Sequence, residues 1–474
     1  MKKLLLLLSV LSFLYACDDS KPTPETPTED ADTLAIYFIN DQHGQLDNFA
    51  KIKHIVDTEK ETNTNVLLVC AGDMFSGNPI VDQYEQKGYP MIDIMNRTGF
   101  DIAVIGNHEF DYGPDVLADR INQAEFEWVC ANVAMQESGV PQPNPYKTLE
   151  VGDLKVTFLG LIETFGKEDD VIPATHPWRV ADMEFERHFD VIDNYRNLKS
   201  EESADLFIAL THLGSSFDIE LATNVPELDG VIGGHSHQEI NQTINSMPVV
   251  QASSYLQLLG RLQFIISEGE IISHSTTFID LDLYSNFDED LKAVIDSYNE
   301  APQFEEVIGT ATNYLDRTEL GCFYTTALKE YYDVDASFQN GGGIRSDIDE
   351  GDITTLEIYN MDPFNNGSVV FTLTAKEISD FFVQTNAGLH VSGIEFEEVG
   401  QELLILKENG EQYADDELIT IGINDYIPAV YDAYFPLSKA QIQDLTTAES
   451  IIQYLKTINS TVDDDGCNRY FRYD

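Results

Sequence analysis

Five short motifs place metal-type ligands along the first half of the chain. They are Asp41-Gln42-His43-Gly44, Gly72-Asp73, Gly106-Asn107-His108-Glu109, Thr211-His212 and Gly233-Gly234-His235-Ser236-His237. Together they offer the carboxylates of Asp41 and Asp73, the amide of Asn107, and the imidazoles of His43, His212, His235 and His237. This mixture of oxygen and nitrogen donors suits a pair of borderline divalent ions such as zinc, manganese or cobalt. Two ions about 3.5–4 Å apart repel unless a shared anionic ligand lies between them, so one carboxylate is expected to bridge. Such a pair can acidify a bound water and polarise the group that the water attacks. Each motif alone is ordinary, since an Asp-x-His is often a turn and a His-Ser-His a solvated loop. What sets them apart is that all five follow a short apolar run. Five of the ten histidines fall in these motifs. The others (His54, His176, His188, His274 and His390) are assigned to helix faces and loops, with no role.

The apolar runs read as strands that must present these ligands. Leu34 to Asn40, Val66 to Ala71, Ile102 to Ile105, Val156 to Ile162 and Leu206 to Leu210 are rich in β-branched residues, and Gly230 to Ile232 is a shorter run of the same kind. Helical patterns intervene: Leu46, Phe49, Ile52 and Ile55 share one face, and Pro90 to Arg97 starts with proline in the first turn. The rhythm predicts an α/β sheet domain, and ligands at the carboxyl ends of its strands converge in one crevice. After Gly260 the pattern becomes antiparallel, with Gly269 in the turn. Phe287 to Tyr298 reads as a polar helix with Pro302 beyond it, a natural boundary, and a second α/β region begins at about Gly309. The expected division is a leader over 1–16, a tether over 17–32, a first domain over 33–285, a linker helix over 286–305 and a second, smaller domain over 306–474.

The chain has 474 residues, enough for two or three domains. With 43% hydrophobic residues it can bury real cores, which excludes wholesale disorder. Lys and Arg number 27 against 83 Asp and Glu, a formal net charge of −56. So acidic a surface repels polyanions, so no nucleic-acid polymer is expected as a partner, and a small anionic substrate requires a local cationic cluster. Five cysteines exclude a disulfide scaffold. Lys2-Lys3 and the apolar run from Leu4 to Tyr15 read as a secretory leader, too short to span a bilayer. It ends in Leu14-Tyr15-Ala16-Cys17, which resembles a bacterial lipobox with Cys17 as the lipidated residue. An ordinary signal peptide with an incidental cysteine is the competing reading. In the first case the protein is exported and held to the cell envelope, expected to be the outer membrane, by acyl chains alone. Cys17-Asp18-Asp19 also looks like the acidic start of surface-exported lipoproteins. Asp18 to Thr33, with three prolines, is an extended tether. Cys70 and Cys130 end apolar runs and are read as buried thiols. Cys322 and Cys467 are either a bridge or two thiols, since their separation in space is not readable here. Oligomeric state is likewise left open.

The motifs NDQHG, GDMFSGNP, GNHEFDYG, THLG and GGHSH, in this order, resemble those of the calcineurin-like metallophosphoesterases and, more narrowly, the secreted 5′-nucleotidase family. Asn340-Gly341-Gly342-Gly343-Ile344-Arg345 and Pro363-Phe364-Asn365-Asn366 support the narrower match. The resemblance implies a four-layer αββα sandwich followed by a smaller α/β substrate-binding domain. It implies that Asp41, His43 and His237 hold one metal, that Asn107, His212 and His235 hold the other, and that Asp73 bridges. His108 would face the phosphoryl group, with Asp111 orienting its ring. A buried imidazole beside a carboxylate stays cationic more easily, which agrees with that role.

The same resemblance implies that the second domain supplies the substrate contacts. Arg345, Asn340 and Gly342 would grip phosphate, although a glycine run by itself is merely a turn. Arg317 matches a second phosphate-binding arginine, with a water-exposed helix start as its alternative. Tyr426 would stack on a nucleobase, with a core strand aromatic as its alternative. Asp432 falls where the family has a ribose-binding acid, but without the surrounding glycines. Gly388 stands where a second ring is expected, so Phe382 or a C-terminal tyrosine would have to fill in. The implied function is hydrolysis of 5′-nucleotides to nucleosides and phosphate outside the cytoplasm. A related phosphoesterase for cyclic nucleotides, nucleotide sugars or other esters is one alternative. A surface binding protein without turnover is another, and the complete ligand set speaks against it.

Overall fold

The structure is a computed structural model describing residues 31–458 and 461–473. The leader, Cys17 and the tether up to residue 30 lie outside the described residues. Among the described residues no helix is long and apolar enough to cross a membrane.

The first region contains strands β1 (Asp32–Ile39), β2 (Val66–Cys70), β3 (Ile102–Val104), β4 (Glu127–Val129), β5 (Tyr146–Val151), β6 (Leu154–Ile162), β7 (Leu206–His212), β8 (Gly230–Ile232), β9 (Glu239–Ile244), β10 (Met247–Ala252), β11 (Leu258–Ser267) and β12 (Glu270–Asp280). They form two six-stranded sheets, ordered β12-β11-β1-β2-β3-β4 and β9-β10-β8-β7-β6-β5. β1 to β4 are mutually parallel, as are β6, β7 and β8. The hairpin β11–β12 is antiparallel, as its alternation predicts, and Gly269 takes positive φ in its turn.

Strand alternation explains the layering. In β1, Leu34, Ile36 and Phe38 enter the core shared by the two sheets, while Ala35, Tyr37 and Ile39 face a second core beneath helices. In β7, Leu206, Ile208 and Leu210 face the shared core, and Phe207 and Ala209 face a third. Strands apolar on both faces must lie between two covering layers, so the sheets stack and helices cover each outer side. Helix α1 (Phe49–Lys60) buries Phe49, Ile52, Ile55 and Val56 on one sheet, and α2 (Tyr89–Thr98), with proline in its first turn and Gly99 as a left-handed cap, packs beside it. Helix α3 (Ser215–Asn224) covers the other sheet through Leu221 and Ala222. The result is the four-layer αββα sandwich. Helix α4 (Glu289–Asn299), expected as a linker, docks Leu291 and Ile295 into the core under α1 and α2.

The second region opens with β13 (Val307–Ala311) and α5 (Arg317–Tyr332), the latter started by an Asp316–Glu319 capping box. Strands β14 (Ala336–Asn340), β15 (Gly351–Thr354), β16 (Gly367–Thr374), β17 (Leu389–Ser392), β18 (Ile394–Val399), β19 (Glu402–Lys407), β20 (Leu418–Asn424), β21 (Ala440–Thr446), β22 (Thr461–Val462) and β23 (Tyr470–Phe471) follow. A mixed sheet ordered β21-β16-β20-β14-β17-β23 forms its centre, with a small sheet β15-β13-β22 and a hairpin β18–β19 beside it. Cys322, buried in α5, is bonded to Cys467, which settles the pairing left open above; Cys70 and Cys130 are free and buried, as expected. The bond holds the tail that adds β23 to the sheet edge.

The bond closes a sequence separation of 145 residues. In the chain-entropy picture so long a loop confers about 5 kcal/mol, and native bonds typically give about 2–5. Replacing Cys322 and Cys467 together by Ser is expected to lower the thermal midpoint, measured by calorimetry. An unchanged midpoint would show that the tail is held without the bond.

Candidate metal centre

Every predicted ligand stands at, or within a few residues of, the carboxyl end of a parallel strand. Asp41 and His43 follow β1, Asp73 follows β2, Asn107 follows β3, His212 ends β7, and His235 and His237 follow β8. Three of these strands belong to one sheet and two to the other, so the ligands converge across the top of the sandwich. Turning side chains inward from adjacent loops requires unusual backbone. Asp41 (φ 51°), His43 (φ 46°), Asp73 (φ 56°), His235 (φ 77°) and His237 (φ 54°) all adopt the left-handed region. Such conformations cost about 1–3 kcal/mol each outside glycine and cluster where function over-determines the backbone. Cross-loop bonds hold them: Asp41 N–H donates to Gly72 O at 3.0 Å and His43 N–H to Asp73 O at 3.1 Å. The loops touch so closely that a Cβ on Gly106 would lie 2.4 Å from Asp73 Oδ1, and one on Gly72 2.7 Å from His212 Nδ1.

Three overlapping groups bring one candidate ligand atom per residue within 4.8 Å of each other: Asp41, His43 and His237; His43, Asp73 and His108; and Asp73, His212 and His235. Asp73 is shared by two of them. His212 Nε2 lies 3.0 Å from Asp73 Oδ2, and His237 Nε2 lies 3.4 Å from Asp41 Oδ1. Asn107 Oδ1 joins at 2.9 Å from His235 Nδ1. The outer nitrogens are already engaged: His43 Nδ1 donates to Ser76 O (3.0 Å) and His212 Nδ1 to Ala71 O (2.7 Å). Both rings therefore turn Nε2 inward, the arrangement that prepares imidazole for a cation. His43 Nε2 and His237 Nε2 face each other at 2.9 Å, and His212 Nε2 is buried without a hydrogen bond. Lone pairs so converged beside two buried carboxylates suit divalent cations, and the residues fit such ions.

The electrostatics of His43 and His235 point the same way, whereas burial lowers His212 but Asp73 and Asp41 outweigh it and hold that ring up at about 10, so it must give up a proton to take a cation. Burial, then the neighbouring His108 charge, pushes His43 down to about 4; burial and His212 push His235 down to about 4. Both rings remain neutral, as a ligand must. Burial raises the Asp73 carboxyl, but the facing His212 and His108 overcome it and hold Asp73 well below the usual range. Glu109 braces this loop. Its buried carboxylate accepts from the backbone N–H of Asp73 (3.0 Å), Met74 (2.6 Å) and Gly106 (2.5 Å).

His108 Nδ1 donates to Asp111 Oδ2 at 2.6 Å, and Asp111 also accepts from Ser76 Oγ (2.7 Å) and Thr175 Oγ1 (3.3 Å). Burial alone would lower the His108 pKa; Asp111 and Asp73 outweigh it and hold it up at about 9. The ring is covered by Phe364 of the second region, stacked with centroids 5.9 Å apart, and Arg345 lies over the same Phe364 ring at 5.5 Å. Arg179 of the first region grips the Phe364 loop through Phe364 O (3.2 Å), Asn365 O (3.4 Å) and Asn366 Oδ1 (3.3 Å).

A cavity of about 700 Å³ lies between the two regions. Asp73, Asn107, His108, Asp111, His235 and His237 line one side; Arg317, Asn340, Gly342, Arg345 and Tyr426 line the other. Arg317 is the first residue of α5 and largely exposed, so it is both a helix-start arginine and a wall residue. Tyr426 opens a short helix, α6 (Tyr426–Val430), rather than sitting in a strand, and is half-buried on the wall. Asp432 is not brought to this cavity. It lies in an adjacent cleft, 3.2 Å from Lys167, because α6 turns the chain away where glycines were expected. Phe382 is fully buried in the second region's core and is not free to stack. Tyr470 stands half-exposed against Gly388, where a Cβ would meet its hydroxyl at 1.9 Å. Sequence reasoning missed three residues here. Glu109 was legible as a carboxylate following Asn107-His108 at a buried strand end. Arg179 and His176 carry no local signal, and His176, assigned no role above, lines the cavity.

Residues 34–239 match the calcineurin-like phosphoesterase family, and residues 300–434 match the 5′-nucleotidase C-terminal domain. The trifunctional nucleotide phosphoesterase YfkN of Bacillus subtilis is 30% identical over 501 residues, covering 89% of this chain and 33% of that protein. This chain thus spans about a third of that relative's length. A 5′-nucleotidase of Vibrio vulnificus is 24% identical over 504 residues, covering 90% of each. The 5′-nucleotidase precursor of Thermus thermophilus shares the fold, with a TM-score of 0.76 at 23% identity over 91% of this chain and 97% of that one. With the ligand-bearing sandwich matched in the first region and the cavity's opposite wall in the second, the chain belongs to the family that joins a calcineurin-like phosphoesterase domain to a 5′-nucleotidase C-terminal domain.

Proposed function

We propose that the protein hydrolyses 5′-nucleotides to nucleosides and phosphate. The observation that carries this reading is the pairing of walls across one cavity: buried ligand groups around Asp73 face two arginines and the ring of Tyr426. Asp41, His43 and His237 would hold one divalent cation and Asn107, His212 and His235 a second, with Asp73 between them. Such ions, when bound, polarise a phosphoryl group and acidify a water that attacks phosphorus. His108, its proton retained by Asp111, neutralises charge on the phosphoryl oxygens. Arg345 and Arg317 draw the phosphate out of a strongly acidic surround, and Asn340 and the Gly342 turn line its approach. Tyr426 gives the base a face to stack on. We also propose a first domain over 33–285, a linker helix over 286–305 that packs on that domain through Leu291 and Ile295, and a second domain over 306–474.

A second reading, a phosphoesterase for cyclic nucleotides, nucleotide sugars or other esters, is favoured by one observation: Asp432, expected at the ribose, sits in the adjacent cleft. We further propose export and lipid attachment at Cys17; the Cys322–Cys467 bond is of the kind that persists in oxidising compartments. Labelling with palmitate that survives Cys17→Ala would contradict the anchor.

Removing metal with a chelator is expected to abolish phosphate release from AMP, and elemental analysis should find about two divalent ions per active chain. Full activity in metal-free protein would refute the reading. His108→Ala should lower kcat about 10²–10³-fold, and Asp111→Asn less. The charge of Asp111 keeps His108 cationic, and a cationic ring is lost as pH rises through its pKa. Asp111→Asn should therefore move the alkaline fall of kcat/KM to lower pH; an unmoved profile would separate Asp111 from His108. Tyr426→Ala should raise KM for AMP and leave aryl phosphate turnover nearly unchanged, and equal effects would reject stacking there.

A further inference from the structure

We propose that His176 is a positioning residue that fixes Tyr426 at a set distance from the phosphoryl site, by clasping the second domain to the loop that braces Asp111 and Asn107. The inference rests on the nucleotide reading above.

His176 projects from a loop of the first domain that is closed on itself. The buried Glu163 carboxylate accepts from the N–H of Phe165 (2.7 Å) and of Ala174, and Gly166 N–H donates to Ile172 O (3.0 Å). Gly166 lies so near the Pro173 carbonyl that a Cβ would approach it to 2.1 Å. This loop is tied to the centre at two points. Asn107 Nδ2 donates to Ala174 O (3.0 Å), and Thr175 Oγ1 donates to Asp111 Oδ1 (3.3 Å). The next residue, His176, is 4% exposed and reaches across the domain boundary.

Its Nδ1 accepts from Trp178 N–H at 3.3 Å, which assigns the ring proton to Nε2. Nε2 lies 3.2 Å from Asp425 Oδ1 of the second domain. Both atoms are buried and neither makes a well-directed hydrogen bond among the described residues, even to the other, so what joins them is an electrostatic contact. A buried carboxylate oxygen and a buried imidazole N–H each carry a desolvation penalty that only the other stands near enough to offset, so their attraction draws the two domains together at this point. Asp425 immediately precedes Tyr426, and the His176 ring meets the Tyr426 ring edge-on, with centroids 6.0 Å apart. One continuous chain of contacts therefore runs from His108 and Asp111 through Thr175 and His176 to Asp425 and Tyr426. It sets the span available between a phosphoryl group at the centre and a base on the ring.

The test compares AMP with ribose 5-phosphate, which share the phosphate and sugar and differ in the base. His176→Ala is expected to raise KM for AMP about tenfold, with kcat within about threefold and ribose 5-phosphate unaffected. His176→Gln, which keeps an N–H for Asp425, should restore most of the affinity. In a Tyr426→Ala background the His176 change should add nothing. Independently of any substrate, hydrogen exchange should show Ile427, Ala429 and Tyr431 amides losing protection in His176→Ala. Retained protection, equal effects on both substrates, or additivity with Tyr426→Ala would each overturn the clasp. No hydrolysis of AMP by the unaltered protein, together with loss of protection in the variant, would instead sink the nucleotide reading and leave the clasp as a domain contact.

Discussion

Two carboxylates, Asp41 and Asp73, are fully buried within reach of each other's charge. Burying like charges is strongly unfavourable unless cations are brought to meet them. Much of the first domain's local geometry follows from that demand. Strand ends from both sheets are steered into one volume, and five ligand residues accept left-handed backbone to aim inward. Gly72 and Gly106 allow neighbouring loops to touch, and Glu109 ties the crossing loop down through three backbone N–H groups. The four-layer packing beneath is rigid enough to bear this strain because its strands are apolar on both faces.

The second domain reshapes the same electrostatic problem from above. A chain with net charge −56 disfavours anionic substrates at long range. Within a Debye length the sign is reversed locally by Arg317, Arg345 and Arg179, which all line the cavity. Phe364 stands nearly parallel to the His108 ring and beneath Arg345, so the second domain places an aromatic face and a cation beside the imidazole proposed here as catalytic. Arg179 and His176 make that arrangement specific, since each crosses the boundary to particular oxygens.

Much of this was legible in the amino-acid order. The unbroken apolar runs of β1 and β7 require sheets covered on both sides, and the proline and glycine flanking α2 mark its ends within a residue. The ligands were legible because each chemistry-bearing motif directly follows an apolar strand, and strand direction alone determines which end such residues occupy. The contacts of the base-side wall were less so. Asp432 was read from its distance to Tyr426, but distance along a chain survives into space only when the intervening backbone is known, and α6 diverts it. His176 looked like any loop histidine because its partner, Asp425, belongs to the other domain.

By itself the sequence determined the α/β class, the set of inward-facing donors and the acidic surface, because periodicity, residue type and charge are local properties. Only tertiary structure decided that Cys322 meets Cys467, that Phe364 covers His108, and that Asp432 leaves the cavity while His176 enters it. Those are encounters between distant segments. Their outcome depends on how loops are closed and domains are docked, which no local pattern encodes.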